Sequence, residues 1–391
     1  MNFIDKVILV LLLTCANVGQ VKALSEPAKA INSPDEYAWM LFTQLNTEAK
    51  VNARATVWET WIEQEDIYAD PIKVPKWNTT TQIRKNFNQH IHNILLQNNR
   101  LPNDVFHGSP APFVADAIQE VRVNKTAFDY IVDKELWYQE GLLKSAMLNE
   151  VKFPILSKVI KTTWVAIEEK DKSRYYWQMN GKQLVGMVAW GIMTKDLPMW
   201  YWATFEHVDN VGRSDITGSF DSFGAMPAYQ APNKLLNQGY PSGKLTPEVM
   251  KLFQQQGLAK VWQNYRLKGT QTSFTDSTGR AIIVGNSVQE AGQINTSSCM
   301  TCHARSSVAE GVKLAIPPKP GLAPNQFPNP FKSAKPALGF VGTPDPQWFY
   351  QAHSRGPEGA YQLLYPVDFL WQLPLLTKQR TGFKASTEAG E

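Results

Sequence analysis

Two of the three cysteines in this chain, Cys299 and Cys302, lie in a single hexapeptide, Ser298-Cys299-Met300-Thr301-Cys302-His303, and the third is Cys15. A polypeptide whose cysteines are confined in this way has no disulfide framework to draw on. It must be held together by an apolar core. The material for one is present, since 43% of the residues are hydrophobic and 13 are tryptophan. A chain of this length can bury a large share of that surface.

The amino terminus reads as an export signal covering residues 1–23. Lys6 precedes the apolar run Val7-Ile8-Leu9-Val10-Leu11-Leu12-Leu13, and Val21-Lys22-Ala23 supplies a small-residue cleavage pattern, so the expected mature chain begins at Leu24. Leu12-Leu13-Thr14-Cys15 offers a second reading, lipidation at Cys15, but Thr14 is a poor residue in that position. Both routes predict a periplasmic or otherwise extracytoplasmic location, and no segment reaches the roughly 20 apolar residues of a membrane-spanning helix. The formal charge of +4 is near balance for 391 residues and excludes a nucleic-acid binder on electrostatic grounds.

Hydrophobic periodicity predicts an α+β fold with three regions. Residues 24–150 read as mainly helical. Ser33-Pro34-Asp35-Glu36 opens a helix carrying Tyr37, Met40, Leu41 and Leu45 at helical spacing, and residues 79–97 and 126–148 repeat the pattern. Residues 151–290 read as an antiparallel β region, with strands over 159–167, 183–194, 199–208, 262–272 and 280–284. A short helix over 246–255 is capped by Thr246, and Asp276-Ser277-Thr278-Gly279 forms a turn. Residues 291–391 read as an attachment and wrapping segment. Its six prolines between Pro317 and Pro330 forbid a long helix, the apolar strip 365–376 lies over the body, and a polar tail follows. The whole of 24–391 is compatible with a single domain.

The hexapeptide carries the chemistry. Two thiols separated by two residues and followed at once by an imidazole suit covalent attachment of one haem, with Cys299 and Cys302 bound to the macrocycle and His303 as the proximal iron ligand. A structural zinc site needs a second pair of ligands. A thioredoxin-like dithiol needs a βαβ setting, whereas the motif here sits in a turn-rich region.

A distal ligand is harder to place, because residues 304–391 contain no methionine. His207 is the first candidate, His353 a weaker one and Met226 a third. Strand alternation puts His207 with Tyr201, Ala203, Phe205 and Asp209, and Glu206 with Trp200, Trp202 and Thr204. Asp209 would then fix the ring by accepting its second N–H. The plainer reading of His207 is a hydrogen-bonded histidine at a strand end. Other features read as structural: His90 and His92 do not share a helix face, Met187, Met193 and Met199 fill the core, and Lys158 and Lys161 form a solvated face available to a redox partner protein.

Four segments carry a resemblance. Trp202-Ala203-Thr204-Phe205-Glu206-His207-Val208-Asp209-Asn210, Tyr265-Arg266-Leu267-Lys268-Gly269-Thr270-Gln271, Gly285-Asn286-Ser287 with Glu290, and the hexapeptide resemble a family of large bacterial mono-haem cytochrome c-like proteins of largely uncharacterised function. Weaker echoes lie at Trp58-Glu59-Thr60-Trp61 and Asp368-Phe369-Leu370-Trp371. The resemblance implies haem binding and electron transfer, and it favours His207 as a residue at the haem. One departure stands out: relatives carry a histidine in the strand before the aromatic one, where this chain has Trp190-Gly191-Ile192-Met193.

The expected function is single-electron transfer by a mono-haem c-type cytochrome. A peroxidase- or oxidase-like haem enzyme with an open iron position is the first alternative, with His207 and Glu206 or Asp209 as acid and base. A haem-based redox or gas sensor is the second.

Overall fold

The computed structural model describes residues 26–50, 52–77, 117–210, 218–231, 243–290, 298–304, 306–309, 342–344 and 364–380. The expected signal, Cys15, the helix over 79–97, His90, His92, His353 and the proline-rich stretch lie outside them. The described fold is α+β, as the periodicity predicts.

Its centre is an antiparallel sheet of seven strands: β1 (Ile62–Glu63), β2 (Ile118–Val123), β3 (Lys158–Ala166), β4 (Trp177–Asn180), β5 (Gln183–Thr194), β6 (Tyr201–His207) and β7 (Tyr265–Gln271). The order is β7-β6-β5-β3-β2-β1, with β4 paired to β5 beyond the end of β6. The sheet thus draws on strands from the amino-terminal region as well as the central one. The β5 limits coincide with the sequence reading. Residues 280–284 form no strand: Ala281 makes one isolated bridge to Thr275, beside a turn in which the Asp276 carboxylate accepts hydrogen bonds from the Thr278 and Arg280 amides.

Helices cover both faces. On one, α1 (Pro34–Leu45) and α4 (Pro247–Gln256) press Trp39, Phe42 and Phe253 against Trp190, Phe205 and Leu267. On the other, α2 (Lys125–Asp133) and α3 (Gln139–Met147) enclose Val159, Met193, Trp200 and Trp202. A strand buried from both sides loses the usual alternation of apolar and polar residues. That is why every residue of β6 is buried.

One bulge keeps the first core continuous. The β3–β5 register passes from Thr163 opposite Ala189 to Trp164 opposite Met187, so Val188 is an extra residue. Val185 and Met187 consequently share a face with Trp190 and Ile192, which simple alternation would place oppositely. The α4 cap is as predicted, with the Thr246 hydroxyl accepting from the Val249 amide.

Candidate functional site

The hexapeptide forms a short helix, α5 (Cys299–Ala304), laid on the second face of the sheet. Ser298 and Met300 fasten it to the end of β7: the Gln271 amide group donates to the Ser298 hydroxyl at 2.6 Å and accepts from the Met300 amide at 3.0 Å. Gln271 stands opposite Trp202 in the ladder, so the two share a face. The Trp202 indole meets the His303 imidazole at 4.7 Å between ring centres.

Helical spacing divides α5 in two. Met300, Thr301 and Ala304 are buried against the body, with Met300 in the second core. Cys299, Cys302 and His303, at i, i+3 and i+4, share the other, partly exposed side. Neither cysteine is in a disulfide. Burial raises the Cys299 thiol well above its ordinary range, with Glu290 adding to the effect. That is the reverse of the electropositive setting that makes a nucleophilic dithiol.

His303 is held in one tautomer. Its Nδ1 lies 2.8 Å from the backbone carbonyl of Phe369, and a carbonyl can only accept, so Nδ1 carries the proton. Burial lowers the ring to about 4, the Phe369 contact opposing, and the neutral ring keeps its lone pair on Nε2. A metal-ligating histidine needs such a lone pair, with its other nitrogen tied to an acceptor. Among the described residues, no group of three or more His, Cys, Asp or Glu side chains is placed to hold a metal ion alone. Cys299, Cys302 and His303 are the residues that would hold a macrocycle, which would take the two thiols and the imidazole at separate points.

Phe369 belongs to a downstream segment that grips the motif. After β8 (Ser307–Ala309) pairs with β9 (Leu364–Pro366), the chain returns across α5 before entering α6 (Gln372–Leu376). The Val367 amide donates to Ser306, and the Trp371 indole donates to the Cys302 carbonyl at 3.0 Å. The apolar strip thus lies over the body, with Val367, Leu370 and Leu373 buried in the second core.

His207 is not brought to the motif. It lies five residues from Trp202 along β6, about 17 Å at strand rise, and on the opposite face. Both its nitrogens are occupied, Nε2 donating to the Arg174 carbonyl at 3.0 Å and Nδ1 accepting from the Asp209 amide at 3.2 Å. Tyr175 stacks on the ring at 3.9 Å, and burial lowers the His207 pKa to about 4. Asp209 takes no N–H from the ring in this structure, because Nδ1 already accepts from the Asp209 amide; its carboxylate, 3.6 Å from Nδ1, is engaged by Arg174 and Tyr175. In this structure His207 is a hydrogen-bonded histidine at the end of β6, away from the motif. Met226 is nearly half exposed, in a two-residue strand with neighbours Phe223 and Leu245 packed on the first core, across the sheet from α5.

The remaining motif residues brace the site. Glu206, on the face of Trp202, accepts from the Ser287 amide at 2.9 Å, from the Ser287 hydroxyl and from Asn210. Asn286 donates to the Thr204 hydroxyl at 2.9 Å and its amide binds Glu290. Lys161 lies 4.0 Å from Glu290, whereas Lys158 is buried at 3% exposure rather than solvated. Met187 and Met193 are core residues as expected, but Met199 is exposed.

The sequence reading missed Gln271 and the Phe369 carbonyl as parts of the site. The echo at Asp368-Phe369-Leu370-Trp371 marked the segment, but a backbone acceptor leaves no residue signature. No protein-family model matches the chain, and neither does any curated protein or solved structure. The family resemblance rests on the quoted residues alone.

Proposed function

We propose that this protein is an extracytoplasmic mono-haem c-type cytochrome that passes single electrons, with haem held by Cys299 and Cys302 and its iron facing His303. The observation that carries the reading is the joint placement of those three side chains. They share the partly exposed side of one helix, and the His303 Nδ1 is tied to Phe369, leaving Nε2 available.

Bound haem would supply a one-electron couple whose potential responds to axial ligands, burial and hydrogen bonding. The chain's own residues do the rest. Trp202 and the Phe369 carbonyl fix the imidazole plane, Met300 and Thr301 anchor the helix, and the sheet supplies a rigid support.

The peroxidase-like alternative took its acid and base from His207 with Glu206 or Asp209. With His207 across the sheet, that pair is not beside the motif, so the peroxidase-like alternative loses its acid and base.

The test is expression in a host with cytochrome c maturation machinery, followed by a denaturing gel stained for haem and a pyridine haemochrome spectrum. One haem should remain on the denatured chain and be lost from Cys299→Ala/Cys302→Ala. A chain that never retains haem covalently, or a double variant that keeps it, would overturn the reading. Electron paramagnetic resonance of the same sample separates a six-coordinate electron carrier, low-spin, from an enzyme or sensor with an open iron position, high-spin.

A further inference from the structure

Three non-glycine residues with left-handed backbone converge beside α5: Trp200 at φ 61°, Asp368 at φ 51° and Phe369 at φ 70°. This conformation is costly for side chains other than glycine, least so for Asp and Asn, and it persists only where the surroundings enforce it. Asp368 and Phe369 are consecutive, so together they set the direction of the Phe369 carbonyl, the acceptor for His303.

The enforcing contacts all run through Asp368. One carboxylate oxygen accepts from Lys195 Nζ at 2.6 Å, and the other accepts from the Phe153 amide at 2.7 Å. The Trp200 indole donates to the Asp368 carbonyl at 3.0 Å. Lys195 is fixed in turn by the Pro198 carbonyl at 2.7 Å and lies 5.4 Å from the Trp200 ring centre. Both charged side chains are nearly buried, at 12% and 8% exposure. The connection between β5 and β6 therefore presents a preformed receptacle for the Asp368 turn.

We propose that the Lys195–Asp368 ion pair is a positioning device for the iron ligand, holding the Phe369 carbonyl on the His303 Nδ1 and so setting the reduction potential of the haem. The inference rests on the functional reading above. A strong hydrogen bond at Nδ1 makes the imidazole a better donor and favours the oxidised iron. Loosening the turn weakens that bond and raises the potential.

The sign of the shift separates positioning from simple charge. Lys195→Met removes a positive charge, which acting through space would lower the potential, and Asp368→Asn removes a negative charge, which would raise it. Through His303, both raise it. Asp368→Glu keeps the charge, moves the carboxylate by one methylene, and serves where a neutralising variant does not fold.

The experiment is potentiometric titration of the purified holoprotein and these variants, with electron paramagnetic resonance of the ferric state. A rise in all folded variants, together with altered g values, is expected. A fall in Lys195→Met, or an unchanged potential in Asp368→Glu, overturns the positioning role while leaving covalent haem intact. Absence of covalent haem from the unmodified protein is the distinct failure of the functional reading and overturns this inference with it.

Discussion

The Trp202 indole lies against the His303 imidazole, their ring centres 4.7 Å apart and their planes tilted by 56°. Trp202 is almost fully buried and belongs to the second core, so it joins the motif helix to the sheet. Trp202→Ala opens a large void beneath His303 and should destabilise the fold by about 3–5 kcal/mol, as large-to-small aromatic substitutions do. Urea denaturation followed by far-UV circular dichroism measures this. A loss below about 1 kcal/mol would mean that the contact is incidental.

His207 should matter for stability and not for the haem. Its folded pKa, about 4, lies below the unfolded value near 6.5, so its contribution is present above about pH 6.5 and lost as the pH falls through 4. The full loss is on the order of 3 kcal/mol. His207→Gln should flatten the fall in stability between pH 6.5 and 4 and leave the optical spectrum of the holoprotein unchanged. A variant whose spectrum turned high-spin would place His207 at the iron after all.

The Glu206 carboxylate receives both the amide and the hydroxyl of Ser287 while fully buried. Ser287→Ala removes one charge-assisted hydrogen bond, and Glu206→Gln sets amide hydrogens against donors. The first should cost about 1.5–3 kcal/mol and the second at least as much. Hydrogen exchange should locate the loosening at the 285–290 loop. Exchange that speeds up uniformly across the sheet instead would show that the brace is not local.

Arg122 is buried between Glu120, at 2.5 Å, and Glu63, at 3.1 Å, and also donates to the Glu59 and Trp61 carbonyls. Removing one member of such a group leaves uncompensated buried charge, and Arg122→Ala should cost about 3–5 kcal/mol. Thermal melts at neutral pH test this. A melting temperature within a degree or two of the unmodified protein would contradict the tertiary arrangement around β1 and β2.

Much of the local structure was legible from the chain. The spacing of apolar residues located β5 and β6, and Thr246 and Pro247 announced α4, because these features depend on neighbours within a few residues. Strand alternation also separated His207 from Glu206. What it could not supply was the face on which the motif helix docks. That choice depends on Gln271 and Trp202 meeting Ser298, Met300 and His303 across long stretches of chain, and it leaves His207 on the opposite face. The strand expected over residues 280–284 shrinks to a single bridge between Ala281 and Thr275. The sequence by itself determined most of the central strands and the helix over Pro247–Gln256, which follow from neighbours close in the chain, and it marked the hexapeptide as the candidate site. Only the tertiary structure decided how His303 is aimed, since its partner is a backbone carbonyl whose direction is set by a left-handed turn and an ion pair between residues far apart in the chain.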